Sequence, residues 1–91
     1  MLLLRDAAAA DAEVRALFEQ MDADRLRRMT ENARRLHQAG HLRPGVGLAE
    51  AADVLWTYSS AELYELLVLR RGWTPERYGR FVADAMVGAL L

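Results

Sequence analysis

Along most of this chain apolar residues recur every three or four positions, and no stretch alternates apolar and polar in the manner of a strand. From Asp11 to Ala39 the residues are strong helix formers, with Val14, Leu17, Phe18 and Met21 at helical spacing and then Leu26, Met29, Ala33 and Leu36. The step from Met21 to Leu26 is five, so the stripe slips near "MDAD". That pattern predicts one long helix with a kink or a register drift there, or two helices meeting. Gly40 supplies a left-handed stop, and "HLRPGVG" carries the chain across a turn. "LAEAADVLWTYS" is a short helix, and Ser59 and Glu62 stand at capping-box spacing for another, from about Ser60 to Arg71, ended by Gly72. Thr74 as N-cap and Pro75 at the first helical position open the last helix. Trp73 before the cap and Tyr78 after it have the spacing of a hydrophobic staple.

The last helix carries Tyr78, Phe81, Val82, Ala85, Met86, Ala89 and Leu90 on one stripe, with Gly79, Ala83 and Val87 beside it. The helix before it reads "LLVL" from Leu66 to Leu69, apolar on every side, as a helix covered all round would be. A chain this short has little of its own to cover both. The pattern therefore predicts a single all-α domain, residues 1–91, built as an antiparallel bundle of about four helices. Its last two helices form a hairpin that builds an intermolecular four-helix bundle in a two-fold homodimer. Leu63, Leu66, Leu67, Phe81, Val82, Ala85, Met86 and Ala89 are the expected interface.

Composition supports a covered face: 53% of the 91 residues are hydrophobic, above the roughly 45–50% of ordinary globular chains. There is no cysteine, hence no disulfide frame and no thiolate metal site. The net charge of −1 gives no general pull toward nucleic acid. No apolar run approaches a membrane span, and "MLLLRD" is too short for a signal core, so the expected compartment is the cytoplasm. The same start runs into a helical pattern without a cap, as a chain cut within a helix would.

Little here carries reaction chemistry. His37 and His41 flank a helix end with no third ligand at metal spacing, and a last-turn histidine also suits the helix dipole. Glu50 with Asp53 and Asp22 with Asp24 read as solvated faces or caps, and "PGVG" lacks the strand and lysine of a phosphate loop. The arginines of "RLRR" and Arg34–Arg35 interleave with Asp22, Asp24 and Glu31 at intrahelical pairing distance, which argues against a nucleic-acid patch. No enzyme, metal or cofactor is expected. Met21 and Met29 on the long helix, with Leu55, Trp56 and Tyr58 on the short one, either line an apolar pocket between helices or are simply core.

The stretch from "ARRLHQAGHLRPGVGLAEAADVLWTYSSAELYELLVLRRGWTPERYGRFVADAMVGALL" resembles the C-terminal half of tetracycline-repressor-like (TetR family) transcriptional regulators. The likeness lies in linked motifs: an "L-x-x-x-G-x-L-R-P-G" turn, "A-A-D-V-L-W", "E-L-Y-x-L-L-V", "R-G-W", and a closing amphipathic helix ending in leucines. It covers roughly residues 11–91. The resemblance implies a helical domain that binds a small hydrophobic effector, through Met21, Met29, Leu55, Trp56 and Tyr58, and forms the regulator's dimer. Such regulators contact DNA through a helix-turn-helix domain, which these residues do not contain. The alternative from another class is a free-standing helical module that binds a partner protein through the same apolar hairpin.

Overall fold

The computed structural model describes residues 11–91, so the expectation drawn from "MLLLRD" lies outside the described residues. Helix α1 runs unbroken from Ala12–Gln38, and the Asp11 carboxylate caps it by accepting from the N–H groups of Glu13 (2.9 Å) and Val14 (3.3 Å). The slip at "MDAD" does not divide it, and of the alternatives the two-helix one falls. A five-residue step turns the apolar stripe by about 140° around a continuous helix, so the two halves of α1 face different neighbours. Met29, Ala33 and Leu36 meet the core, while Phe18 and Met21 border an open groove.

Gly40, at φ 74°, ends α1 with a double hook: its N–H donates to the His37 carbonyl (3.1 Å) and that of His41 to Leu36 (3.0 Å). Pro44 and Gly45, the latter at φ 90°, then form a turn closed by Val46 N–H to the Arg43 carbonyl (3.0 Å). Helix α2, Leu48–Tyr58, lies along the second half of α1.

The expected capping box does not form. Ser59 is the C-cap of α2, and its hydroxyl donates back to the Trp56 carbonyl (3.1 Å); Ser60 is the residue in extended conformation before the next helix, without a side-chain cap bond. From Ser60 the reciprocal glutamate would have to sit at position 63, which is leucine. The following helix is also not regular. Helix α3 covers only Ala61–Tyr64 before the backbone widens into a π-helix over Glu65–Arg70, ended by Gly72 at φ 73°. The wider winding changes which residues face inward. Glu65 is buried at 3% exposure, whereas Leu66 and Leu69 stand 49% and 57% exposed, so "LLVL" is not covered all round by its own chain.

Helix α4, Pro75–Leu90, starts as expected, with Thr74 Oγ1 accepting from Arg77 N–H (3.1 Å). The tryptophan beside it packs on the start of α4. Its ring meets Phe81 edge-on at 5.5 Å and lies under the Arg77 guanidinium, while Tyr78 meets Tyr64 at 5.4 Å. Phe81 in turn reaches Tyr58 at 6.4 Å. The hinge is an aromatic cluster joining α2, α3 and α4.

The core is small and alanine-rich: Ala33, Ala51, Ala52, Leu55 and Leu90 are buried, with Met29, Leu36, Leu42, Val46, Leu48, Val54, Met86 and Ala89 packed around them. The alanines let α1 and α2 approach closely, and the end of α4 is pinned over them. Arg43 does the pinning. Its backbone N–H donates to the Leu90 carbonyl (2.7 Å), and its guanidinium donates to the carbonyls of Gly88 (2.8 Å) and Ala89 (3.3 Å). These are carbonyls that a helix end leaves without intrahelical partners. The chain is all-helical among the described residues, with three regular helices and one short, mixed helical segment. Its extents, 44 × 30 × 16 Å, and radius of gyration of 15.1 Å exceed the roughly 12 Å of a compact chain this long. It is a slab with much of its apolar surface uncovered.

Candidate functional site

The groove follows from unequal helix lengths. Twenty-seven residues make α1 about 40 Å long, against about 16 Å for the eleven of α2. The first half of α1 therefore overhangs, and α3 with the start of α4 closes the space beside it. The result is an open groove of about 950 Å³ with Phe18, Met21, Tyr58, Tyr64 and Tyr78 as its apolar and aromatic walls. That volume lies in the usual range for small-molecule sites, about 300–1,000 Å³. Burial raises the Tyr78 phenol above its ordinary value of 10.0.

Charged groups ring the groove, and most are engaged. Asp22 pairs with Arg25 (3.3 Å), and Asp24 takes both the Arg27 guanidinium and the Gln20 amide (2.9 Å). Together with Arg34–Glu31, these are intrahelical pairs at the spacing the sequence predicts, so Arg25, Arg27 and Arg34 on α1 are each matched by a carboxylate. Arg25 does more. Its guanidinium donates to the Trp56 carbonyl and to Ser59 Oγ (2.8 Å), and it lies over the Trp56 ring, 5.2 Å from the centroid. The indole N–H of Trp56 donates to the Asp22 carbonyl (3.3 Å), completing a clamp between α1 and the end of α2.

The five residues expected to line an effector pocket are thus divided. Met21 and Tyr58 wall the groove. Trp56 stands behind Arg25, lining a smaller recess of about 170 Å³ that shares Asp22, Arg25, Ser60 and Glu62 with the groove. Leu55 and Met29 belong to the core, because the downstream half of α1 and the inner face of α2 pack directly on each other. Of the expected interface residues, Met86 and Ala89 pack inward under Leu90, Leu63, Leu67, Val82 and Ala85 are half-buried, and Leu66 and Phe81 are exposed. Val87 on α4 and Leu91 just past its end extend the exposed apolar surface, at 54% and 56%.

Sequence reading missed Phe18, Tyr64 and Tyr78 as groove residues, and Arg25 and Arg43 as interhelical ties. The turn containing Arg43 is plain in the sequence, but its partner carbonyls lie 45 residues away or more. Among the described residues no group of three or more His, Asp or Glu side chains could hold a metal ion, and no helix is long and apolar enough to cross a membrane. Comparison with protein-family models, curated proteins and solved structures finds no match.

Proposed function

We propose that this chain is the effector-binding and dimerisation part of a tetracycline-repressor-like transcriptional regulator, acting by conformational coupling and not as an enzyme. The observation that supports it most is the groove. A pocket of ligand size, walled by aromatic and methionine side chains, sits between the long helix and the hairpin, outside the chain's own core. An effector held there contacts α1 on one side and the α3–α4 hairpin on the other. The exposed leucines and α4 surface then pair with a second copy, as a four-helix contact about a two-fold axis. A rigid dimer would convert a tilt of α1 into altered spacing between two DNA-reading heads, carried on a domain outside these residues.

Reading the coding frame upstream of Met1 tests the assignment: an in-frame helix-turn-helix supports it, and a frame without one removes the regulator reading. Exposure of Leu17, Met21, Leu26, Leu66 and Leu69 in one small chain favours a second possibility, a helical module that binds a partner protein. Ligand titration separates them, since only the regulator needs the groove to take a small molecule.

A further inference from the structure

Three tyrosines from three helices line the groove: Tyr58 at the end of α2, Tyr64 at the end of α3 and Tyr78 on α4. Ring contacts hold them in place, Tyr64 edge-on to Tyr78 at 5.4 Å and Tyr58 to Phe81 at 6.4 Å. Each brings an apolar ring and a hydroxyl that both donates and accepts. Among the described residues none of the three hydroxyls has a hydrogen-bond partner. Tyr64 is 37% exposed and the hydroxyls of Tyr58 and Tyr78 also reach water, so a ligand can take the place of water on all three.

The charged groups nearby leave no place for an ionic head. Asp22 holds Arg25, Asp24 holds Arg27, and Glu62 has an interaction of its own. Arg15, Glu19 and Arg28 stand exposed on α1, where water weakens their pull. Four carboxylates and three arginines line the groove, and Arg27 beside Asp24 evens the balance. An ion entering would give up its hydration for partners already matched, whereas a neutral ring gives up little. We propose that the groove takes a neutral, flat aromatic molecule bearing a hydroxyl or carbonyl group. Its ring lies among those of Phe18, Tyr58, Tyr64 and Tyr78, and its oxygen bonds to one or more of the phenols. This ligand class rests on the groove being the effector pocket. Because the phenols stand on three helices, one such molecule bridges α2, α3 and α4.

The test is calorimetric titration of the whole chain at neutral pH with four compounds of one frame: 2-naphthalenemethanol, 2-naphthoate, 2-naphthylmethylammonium and 2-methylnaphthalene. The alcohol is expected to bind about tenfold more tightly than either ion. Combining Tyr58→Phe, Tyr64→Phe and Tyr78→Phe keeps the rings and removes the hydroxyls. That variant should bind the alcohol about fivefold more weakly and methylnaphthalene within about twofold of the parent. Should it lose methylnaphthalene too, the three single Tyr→Phe variants carry the same comparison. An ion that binds as tightly as the alcohol overturns the neutral class and leaves the pocket standing. Unchanged alcohol binding without the hydroxyls overturns the role of the phenols. If none of the four compounds binds, the pocket reading falls as well.

Discussion

Replacing Arg43 by methionine keeps most of the aliphatic stem and removes the guanidinium that holds the last turn of α4. Two side-chain hydrogen bonds are lost, to the carbonyls of Gly88 and Ala89, while the backbone bond from Arg43 to Leu90 survives. Hydrogen bonds involving a charged group contribute about 1.5–3 kcal/mol when shielded. These are exposed, so water competes for both ends, and a cation at a helix C-terminus in water adds about 0.3–1 kcal/mol. The expected loss is therefore about 1–1.5 kcal/mol, which for a domain this size lowers the melting temperature by about 4–10 °C. The loss has a location as well as a size. Leu90, 2% exposed, is the largest fully buried side chain, and it sits beside the carbonyls that Arg43 holds. Fraying of this turn should expose it. Urea denaturation at one fixed protein concentration measures the stability, because a dimer's apparent stability varies with concentration. Hydrogen exchange should show faster opening in residues 86–91 than elsewhere. A variant within 0.3 kcal/mol of the parent, roughly the scatter of neutral surface changes, would refute the latch, as would exchange that rises uniformly.

Ala85→Arg should convert a dimer into a monomer or an unfolded chain, because a two-fold contact meets each introduced charge twice, at a cost of several kcal/mol (about 3–5) per dimer if the charges stay buried; light scattering at micromolar concentration decides, and a folded monomeric parent defeats the interface. In ligand titrations followed by fluorescence, the Trp73→Phe variant, which keeps Trp56, should respond more strongly than the Trp56→Phe variant, since Trp56 borders the recess while Trp73 is held by Phe81 and Arg77; a response from Trp73 alone contradicts the site. Burial raises the folded-state value of Tyr78, so its contribution is fully present below the ordinary 10.0 and is lost as pH rises through the raised folded value. Tyr78→Phe should flatten the alkaline fall in stability above pH 10, read by thermal melts, and an unchanged fall would place its cause elsewhere.

What was legible in the sequence was local. Gly40, Gly72, Thr74 and Pro75 act where they stand, because backbone conformation and missing donors are properties of single residues, and each ends or starts a helix as expected. The slip at "MDAD" left two architectures open, because periodicity records the direction of the apolar face and not whether the backbone continues through the change. The π-helix was out of reach for a related reason. "ELLVLR" reads as good α-helix residue by residue, and the widened turn shows only in hydrogen bonds such as Arg71 N–H to the Leu66 carbonyl (3.2 Å). Its effect is to bury Glu65 and expose Leu66, the reverse of what composition suggests. For the site, Met21 and Tyr58 were visible as apolar residues on neighbouring helices. Met29 and Leu55 had the same credentials, and only the unequal lengths of α1 and α2 assign one pair to groove and the other to core.

That inequality also defines how α4 is held. At its C-terminal end Leu90 is buried and Arg43 ties down the last carbonyls, so this end is part of the core formed with α1 and α2. At its N-terminal end α4 meets the rest through rings: Phe81 against Trp73 and Tyr58, and Tyr78 against Tyr64. Three of those rings, Tyr58, Tyr64 and Tyr78, also wall the groove. Edge-on ring contacts each contribute about 0.5–1.5 kcal/mol beyond area burial, a scale that a bound ligand can match or displace. In the proposed regulator α4 is thus a lever, pinned where it joins the core and resting at its free end on the side chains the effector touches. The face expected to meet a second copy lies between the two. A small shift at the rings then turns that face about the Arg43 end, and the dimer contact registers occupancy of a groove that none of its central residues needs to reach.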